Sequence, residues 1–482
     1  MAQTLVIPSM TVSETYDSNV FFTPKSLLPP GTKAEDFSTT FTPQLNIAHT
    51  GPLIRGSMSV GGLITRYVEN KGLNYTGINA SGQLDLRQLA YKISQRLSSL
   101  SLNGTYQFTP SIGAFGATGG AVGAGFGVVG TPTPVSTGLL TNRVNMQLIN
   151  VGTSGSYQLT RATTLTGTYN HSRISFGGQA GGVNNQLFGT QGHEGTTALT
   201  TQLNPRDTVG TTATLSHYLQ EESGGSGQGS FTTVSGMGTW SRAWTQKLRS
   251  SVSGGAIVTL PIESAVPGQS IKSQAAPAAA VNVMYTSVSE GLRAMGSSPG
   301  PFEGLPNVLG SLNPGGIIPA GQYTASMSYN FSVFPSYAFG SGPIKAHILG
   351  ANVTGGVTSK LTAQVGMNYS HGSASSPPST FDSVGVTGAL SYLLGPVLAS
   401  LTYNWMYFSN SSTDLAQNRS EYLFSKKMVI LSLSTAFNSQ SFFRMGGFAG
   451  FGSKGTTVPA EGGGSPAVPG SSSVPAVPGS GK

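Results

Sequence analysis

Residues 156–172 read SYQLTRATTLTGTYNHS, two alternating arms on either side of the short turn Thr160-Arg161-Ala162-Thr163. Side chains in a strand point alternately to opposite faces. In the second arm Leu165, Gly167 and Tyr169 therefore share one face, and Thr164, Thr166, Thr168 and Asn170 the other. An apolar or small face backed by a hydroxyl and amide face suits a hairpin with lipid on one side and a polar lumen on the other. The same texture recurs in LSLNGTYQF (100–108), VGTTATLSHY (209–218), LTAQVGMNYSHG (361–372) and VLASLTYNWMY (397–407), each aliphatic at its start and aromatic late. Arms meet at tight polar turns: Asn204-Pro205-Arg206-Asp207, Thr245-Gln246-Lys247, Thr358-Ser359-Lys360 and Gly395-Pro396. Pro and Gly preset the dihedrals such turns need, and Asn or Asp bond their own backbone.

Followed along the chain, this pattern predicts eighteen strands, at 9–17, 37–49, 53–67, 75–86, 97–109, 145–160, 163–176, 196–203, 208–221, 230–244, 248–260, 278–287, 322–334, 346–357, 361–370, 383–394, 397–408 and 428–437. Short turns alternate with long loops. The expectation is an all-β fold, a transmembrane antiparallel β-barrel of about 16–18 strands with short periplasmic turns and long extracellular loops. Residues 1–8 read as a periplasmic lead-in, 9–437 as the barrel, 111–142 as a long Gly-rich extracellular loop and 438–482 as a Gly/Ser/Pro-rich flexible tail. Residues 290–321 form an irregular insertion that reads as a long periplasmic connection, a small plug or an irregular hairpin.

Composition narrows the class. The chain has 482 residues, of which 9% are charged, with 67 Gly and no Cys, and its mean hydropathy is −0.01. A soluble domain carries about 25% charge, so this surface is not made to meet water everywhere. Its least charged run, at 112–130, is too dense in glycine for a membrane helix, each Gly costing about 1 kcal/mol relative to Ala. A barrel strand crosses with about 9–11 residues and needs no such run. Absence of Cys excludes disulfides, thiolate metal sites and CxxCH haem attachment. The start, MAQTLVIPSM, has no basic region and no apolar stretch of signal length; the barrel reading implies a leader removed upstream.

The net charge of +8 is scattered, with Arg161, Arg206, Lys247 and Lys360 in or beside the short turns. Such residues snorkel at an interface, and without a basic stripe nucleic acid is not an expected partner. The predicted pore lining is Thr166, Thr168, Asn170, Thr212, Thr214, Ser216, Gln364, Asn368, Ser400, Thr402 and Asn404. The predicted aromatic girdle is Tyr106, Tyr169, Trp240, Trp244, Tyr369, Tyr403 and Trp405; a carbohydrate-stacking track is the competing reading of these rings. His171, His217 and His371 occupy similar positions late in three arms. Those arms are not adjacent in the strand order, so they read as interfacial rather than as metal ligands. No cofactor, metal site or catalytic constellation is expected, because scattered serines and histidines do not place a base, a nucleophile and an orienting group in mutual reach.

Two segments resemble known families. KMVILSLSTAF, at 427–437, resembles the terminal strand of outer-membrane barrels, which assembly machinery reads, although here a long extension follows it. VSETYDSNVFF, at 12–22, resembles the first strand of porin-like outer-membrane barrels, particularly those associated with exopolysaccharide and exosortase systems, through its Tyr-x-x-Asn-aliphatic pattern at 16–21. The resemblance implies a bacterial outer-membrane location and a role in passing or secreting polymer, and supplies no functional residues. Expected partners are outer-membrane lipids and the barrel-assembly machinery; a homo-oligomer and a periplasmic partner held by the tail are left open. The functional expectation is a porin-like channel for passive passage of small hydrophilic solutes. Its alternative is an export conduit or envelope scaffold, including a sheath around a partner protein.

Overall fold

In the computed structural model, residues 3–436 are described apart from 22–23, 29, 112–143, 178–187, 223–227, 261, 264–269, 272, 288–319, 336–342, 376–377 and 413–419. Threonine, valine and tyrosine, which fit a pleated and half-buried surface, carry eighteen long strands. In order they are β1 (Gln3–Asp17), β2 (Asp36–Thr50), β3 (Arg55–Tyr67), β4 (Tyr75–Asp85), β5 (Leu97–Ser111), β6 (Val144–Gln158), β7 (Thr163–Gly177), β8 (Phe188–Gln202), β9 (Asp207–Glu222), β10 (Gln228–Ala243), β11 (Leu248–Thr259), β12 (Gln274–Thr286), β13 (Tyr323–Pro335), β14 (Pro343–Gly356), β15 (Leu361–Ser375), β16 (Pro378–Leu394), β17 (Val397–Ser412) and β18 (Ser420–Ala436). A two-residue ladder, Ile262–Glu263 with Ser270–Ile271, lies between β11 and β12. One short helix, α1 (Arg87–Ile93), joins β4 to β5.

Each strand pairs antiparallel with its neighbours in sequence, and β1 pairs with β18 from Ser9↔Ala436 to Asp17↔Met428. The sheet is thus a closed 18-stranded antiparallel barrel with no free edge. Each strand expected from the sequence has its counterpart. The differences are at the ends, the largest being that β8 begins at Phe188 rather than 196 and β18 at Ser420 rather than 428. The expected lead-in at 1–8 is corrected as well, since Gln3–Pro8 belong to β1 and pair with Thr50–Leu45 of β2. The 111–142 loop beyond Ser111 and the 438–482 tail lie outside the described residues. So does the 290–321 insertion, except where Ala320 bridges Gly356.

One device closes four of the short turns. Thr160 Oγ1 accepts from the N–H groups of Ala162 (3.2 Å) and Thr163 (3.0 Å). Asn204 Oδ1 does the same for Arg206 and Asp207 (2.8 and 2.9 Å). Thr245 Oγ1 takes Lys247 and Leu248 (3.1 and 3.0 Å), and Thr358 Oγ1 takes Lys360 and Leu361 (3.2 and 3.0 Å). A short side-chain acceptor thereby satisfies two turn donors that no strand partner reaches. The β16–β17 turn uses Gly395 instead, whose φ of 61° only glycine adopts without strain.

Candidate functional site: the inner wall of the barrel

The two faces are assigned from burial. A concave wall crowds its side chains, and the buried strand residues, among them Asn46, Thr65, Ser216, Thr354 and Phe381, all fall on one alternate set. The other set carries the exposed aliphatics, such as Val151, Leu215, Met327, Val365 and Leu431. The first face is inside and the second outside.

All eleven residues expected to line a pore lie on the inner face, on β7, β9, β15 and β17. Their hydroxyls and amides bond sideways along the wall: Thr166 with Ser156 (3.1 Å), Thr214 with Thr196 (3.1 Å), Gln364 to Asn352 (3.2 Å) and Ser400 with Ser432. Thr168 pairs across to Thr196, Thr212 to Ala198, Thr402 to Ala389 and Asn404 to Thr387. Three of the inner asparagines share a local arrangement. Asn103 and Asn170 both face Gly152, and Asn368 faces Gly350 and Gly385. A Cβ on Gly152 would sit 2.8 Å from Asn103 Oδ1 and 3.3 Å from Asn170 Oδ1. Glycine here lets the amides lie against the wall instead of projecting from it.

Charge on the described inner face is sparse. Asp17 and Lys426 are buried and form an ion pair of 2.6 Å across the β1–β18 seam. Ser18 and Lys427 add two hydrogen bonds there, Ser18 N to Lys427 O (2.9 Å) and Lys427 N to Ser18 Oγ (2.8 Å). Glu194 on β8 accepts from Ser216 Oγ (3.3 Å). An apolar patch also lies inside, where Phe381, Phe408 and Phe424 pack with Ala346, flanked by Ile348 and Met406. Sequence reading missed these features because it began β8, β16 and β18 too late, leaving Glu194, Phe381, Phe424 and Lys426 in loops.

On the outer face, Trp240 and Trp244 meet edge to face at 6.3 Å near the short-turn rim. Trp240 Nε1 donates to Asp207 (3.2 Å), and the Arg242 guanidinium lies 4.8 Å over Trp244. Tyr285 and Tyr323 stack at the same end (5.6 Å). Toward the loop end, Tyr169 bonds His193 Nδ1 (2.8 Å) and Tyr369 donates to Asp382 (2.8 Å). Tyr106, Tyr403 and Trp405 share this outer face. His171, His193 and His217 are directly paired on three consecutive strands, the unforeseen His193 standing between the other two. His371 pairs with His347 and bonds Asp382 (2.9 Å). Among the described residues no three side chains are grouped to hold a metal ion.

No family model matches the chain, and no curated protein does. Solved structures with a similar course include OccK1 (OpdK) of Pseudomonas aeruginosa at 10% identity, covering 90% of this chain and 99% of that one with a TM-score of 0.40. OccAB4 of Acinetobacter baumannii also has 10% identity, with 90% and 98% coverage and a TM-score of 0.40. OccK9 (OpdG) of Pseudomonas aeruginosa has 11% identity, 90% and 98% coverage and a TM-score of 0.39.

Proposed function

We propose that this chain is a bacterial outer-membrane channel through which small hydrophilic solutes pass passively. The observation that carries the reading is the division of one closed sheet into an aliphatic outer face with aromatic rims and an inner face of hydroxyls and amides. A barrel of this strand number is wide enough to enclose an aqueous passage. Because its strands need only about 9–11 residues to cross a bilayer, their polar ends stand clear of the lipid. Solutes would contact Thr166, Thr168, Asn170, Thr212, Thr214, Ser216, Gln364, Asn368, Ser400, Thr402 and Asn404, a wall suited to uncharged solutes that exchange hydrogen bonds with water for hydrogen bonds with protein. Tyr106, Tyr169, Trp240, Trp244, Tyr369, Tyr403 and Trp405 would anchor the barrel at the two interfaces.

The test is single-channel conductance in a planar bilayer, for the full chain and for a variant lacking 111–142. Stable open currents that grow on the deletion are expected, and identify that segment as a constriction. A folded barrel silent in both forms overturns the reading. The finer expectation, passage of a polymer, rests on the 16–21 resemblance, and transient block of the open current by soluble oligosaccharide measures it.

A further inference from the structure

The chain's net charge of +8 suggests an anion-preferring passage, but the placement of charge inside the described barrel suggests the reverse. The basic residues of the short turns, Arg161, Arg206, Lys247 and Lys360, lie outside the strands. On the inner face, Arg55 and Arg249 are the first and second residues of β3 and β11, at the short-turn rim, where Arg55 is paired in register with Asp85. Lys426 is neutralised by Asp17. Glu194 is different. It lies within β8, next to Gly195, which pairs with Tyr169 of the loop-side aromatic rim, so it stands in the wall at the level of that rim. It has no ion pair among the described residues, and its cross-strand neighbours are Asn170 and Ser216.

We infer that Glu194 is the selectivity-determining residue of the passage, a site at the loop-side entrance of the lumen for a monovalent cation or the ammonium or guanidinium group of a solute, flanked by Asn170 and Ser216. This inference rests on the channel reading. Ser216 donates its hydroxyl to the carboxylate and is also hydrogen-bonded to Tyr218, so the neutral acceptor beside Glu194 suited to an entering cation is the Asn170 amide oxygen. A fixed charge in a narrow aqueous passage concentrates counter-ions and depletes co-ions, an effect strongest at low salt. At about 8 Å in water the attraction is close to thermal energy, which enriches K⁺ and depletes Cl⁻ by about twofold each, a K⁺ over Cl⁻ preference of about four- to sixfold.

The experiment is the reversal potential of the full chain in a KCl gradient at low salt, compared with Glu194→Gln and with Glu14→Gln, whose carboxylate is on the outer face. Heat-modified electrophoretic mobility verifies folding of each barrel. The expected result is cation preference in the unaltered chain and in Glu14→Gln, with the ratio falling to about one in Glu194→Gln. Currents that are anion-preferring, or equally selective with and without Glu194, overturn this inference and leave the channel reading standing. A correctly folded barrel that carries no current overturns both.

Discussion

Asp36 shows how much one side chain holds at the loop-side rim. Its carboxylate accepts from the N–H groups of Phe37 (2.7 Å), Glu69 (3.0 Å) and Asn70 (2.7 Å) and from the Asn70 side-chain amide (2.9 Å). This ties the start of β2 to the β3–β4 turn. Asp36 is the first residue of its strand, above any membrane span. Burial alone raises its pKa, but the donors from Asn70, Glu69 and Phe37 outweigh it and the carboxyl ends below its usual value. A depressed folded pKa means stability that is present above the unfolded value near 4 and lost as pH falls through the lower folded value. Limited proteolysis of the β3–β4 turn should therefore accelerate as pH falls below about 4 in the unaltered chain; Asp36→Asn should be cleaved faster at neutral pH and lose that acid dependence. An acid profile unchanged by the substitution would refute the assignment. At this scale the faces of Leu165 and Thr166 were legible from alternation alone. The partners of Asp36 were not, because they lie across a loop whose path no periodicity encodes.

Turns and strands differ in what the sequence discloses. Polar turn residues announced the hairpins correctly, because a Thr or Asn that bonds two donors at once has few substitutes. Strand ends were less visible. Beyond the span, as at 188–195 and 420–427, apolar alternation is no longer needed, so His193, Glu194 and Lys426 carry no periodic signal while backbone pairing continues unbroken. The turn device permits a direct test. Thr245→Val keeps the shape but leaves the Lys247 and Leu248 donors without their acceptor, and is expected to cost about 1 kcal/mol, read as a lower urea midpoint for unfolding from bilayers. Thr245→Asn, which restores the acceptor as Asn204 does in the β8–β9 turn, should recover most of it; equal losses in both variants would show that the acceptor is not what matters.

For the whole molecule, the strand count and the barrel class were legible because each hairpin is a local pattern and eighteen strands in alternation leave few other arrangements. The seam was not legible, since it joins the two most distant parts of the sheet. It carries the one buried ion pair of the described inner face. Lys426→Met would leave Asp17 charged and unpaired, at a cost of about 3–5 kcal/mol, and the double change with Asp17→Asn should restore most of the loss. Unfolding midpoints of the two variants distinguish this from simple packing loss, which the second change would not repair.

The same seam governs when the barrel can exist at all. Ser9 meets Ala436, so the closing contact spans nearly the entire described chain. Joining ends so far apart costs about 5 kcal/mol of chain entropy, and it is the last pairing a growing ribbon of hairpins can make. Until then β1 and β18 are open edges, each able to recruit a stray strand. Slow, non-local closure is therefore the vulnerable step in this protein's biogenesis. A chain cut short before β18 is left as an unsealed sheet with aggregation as its default fate.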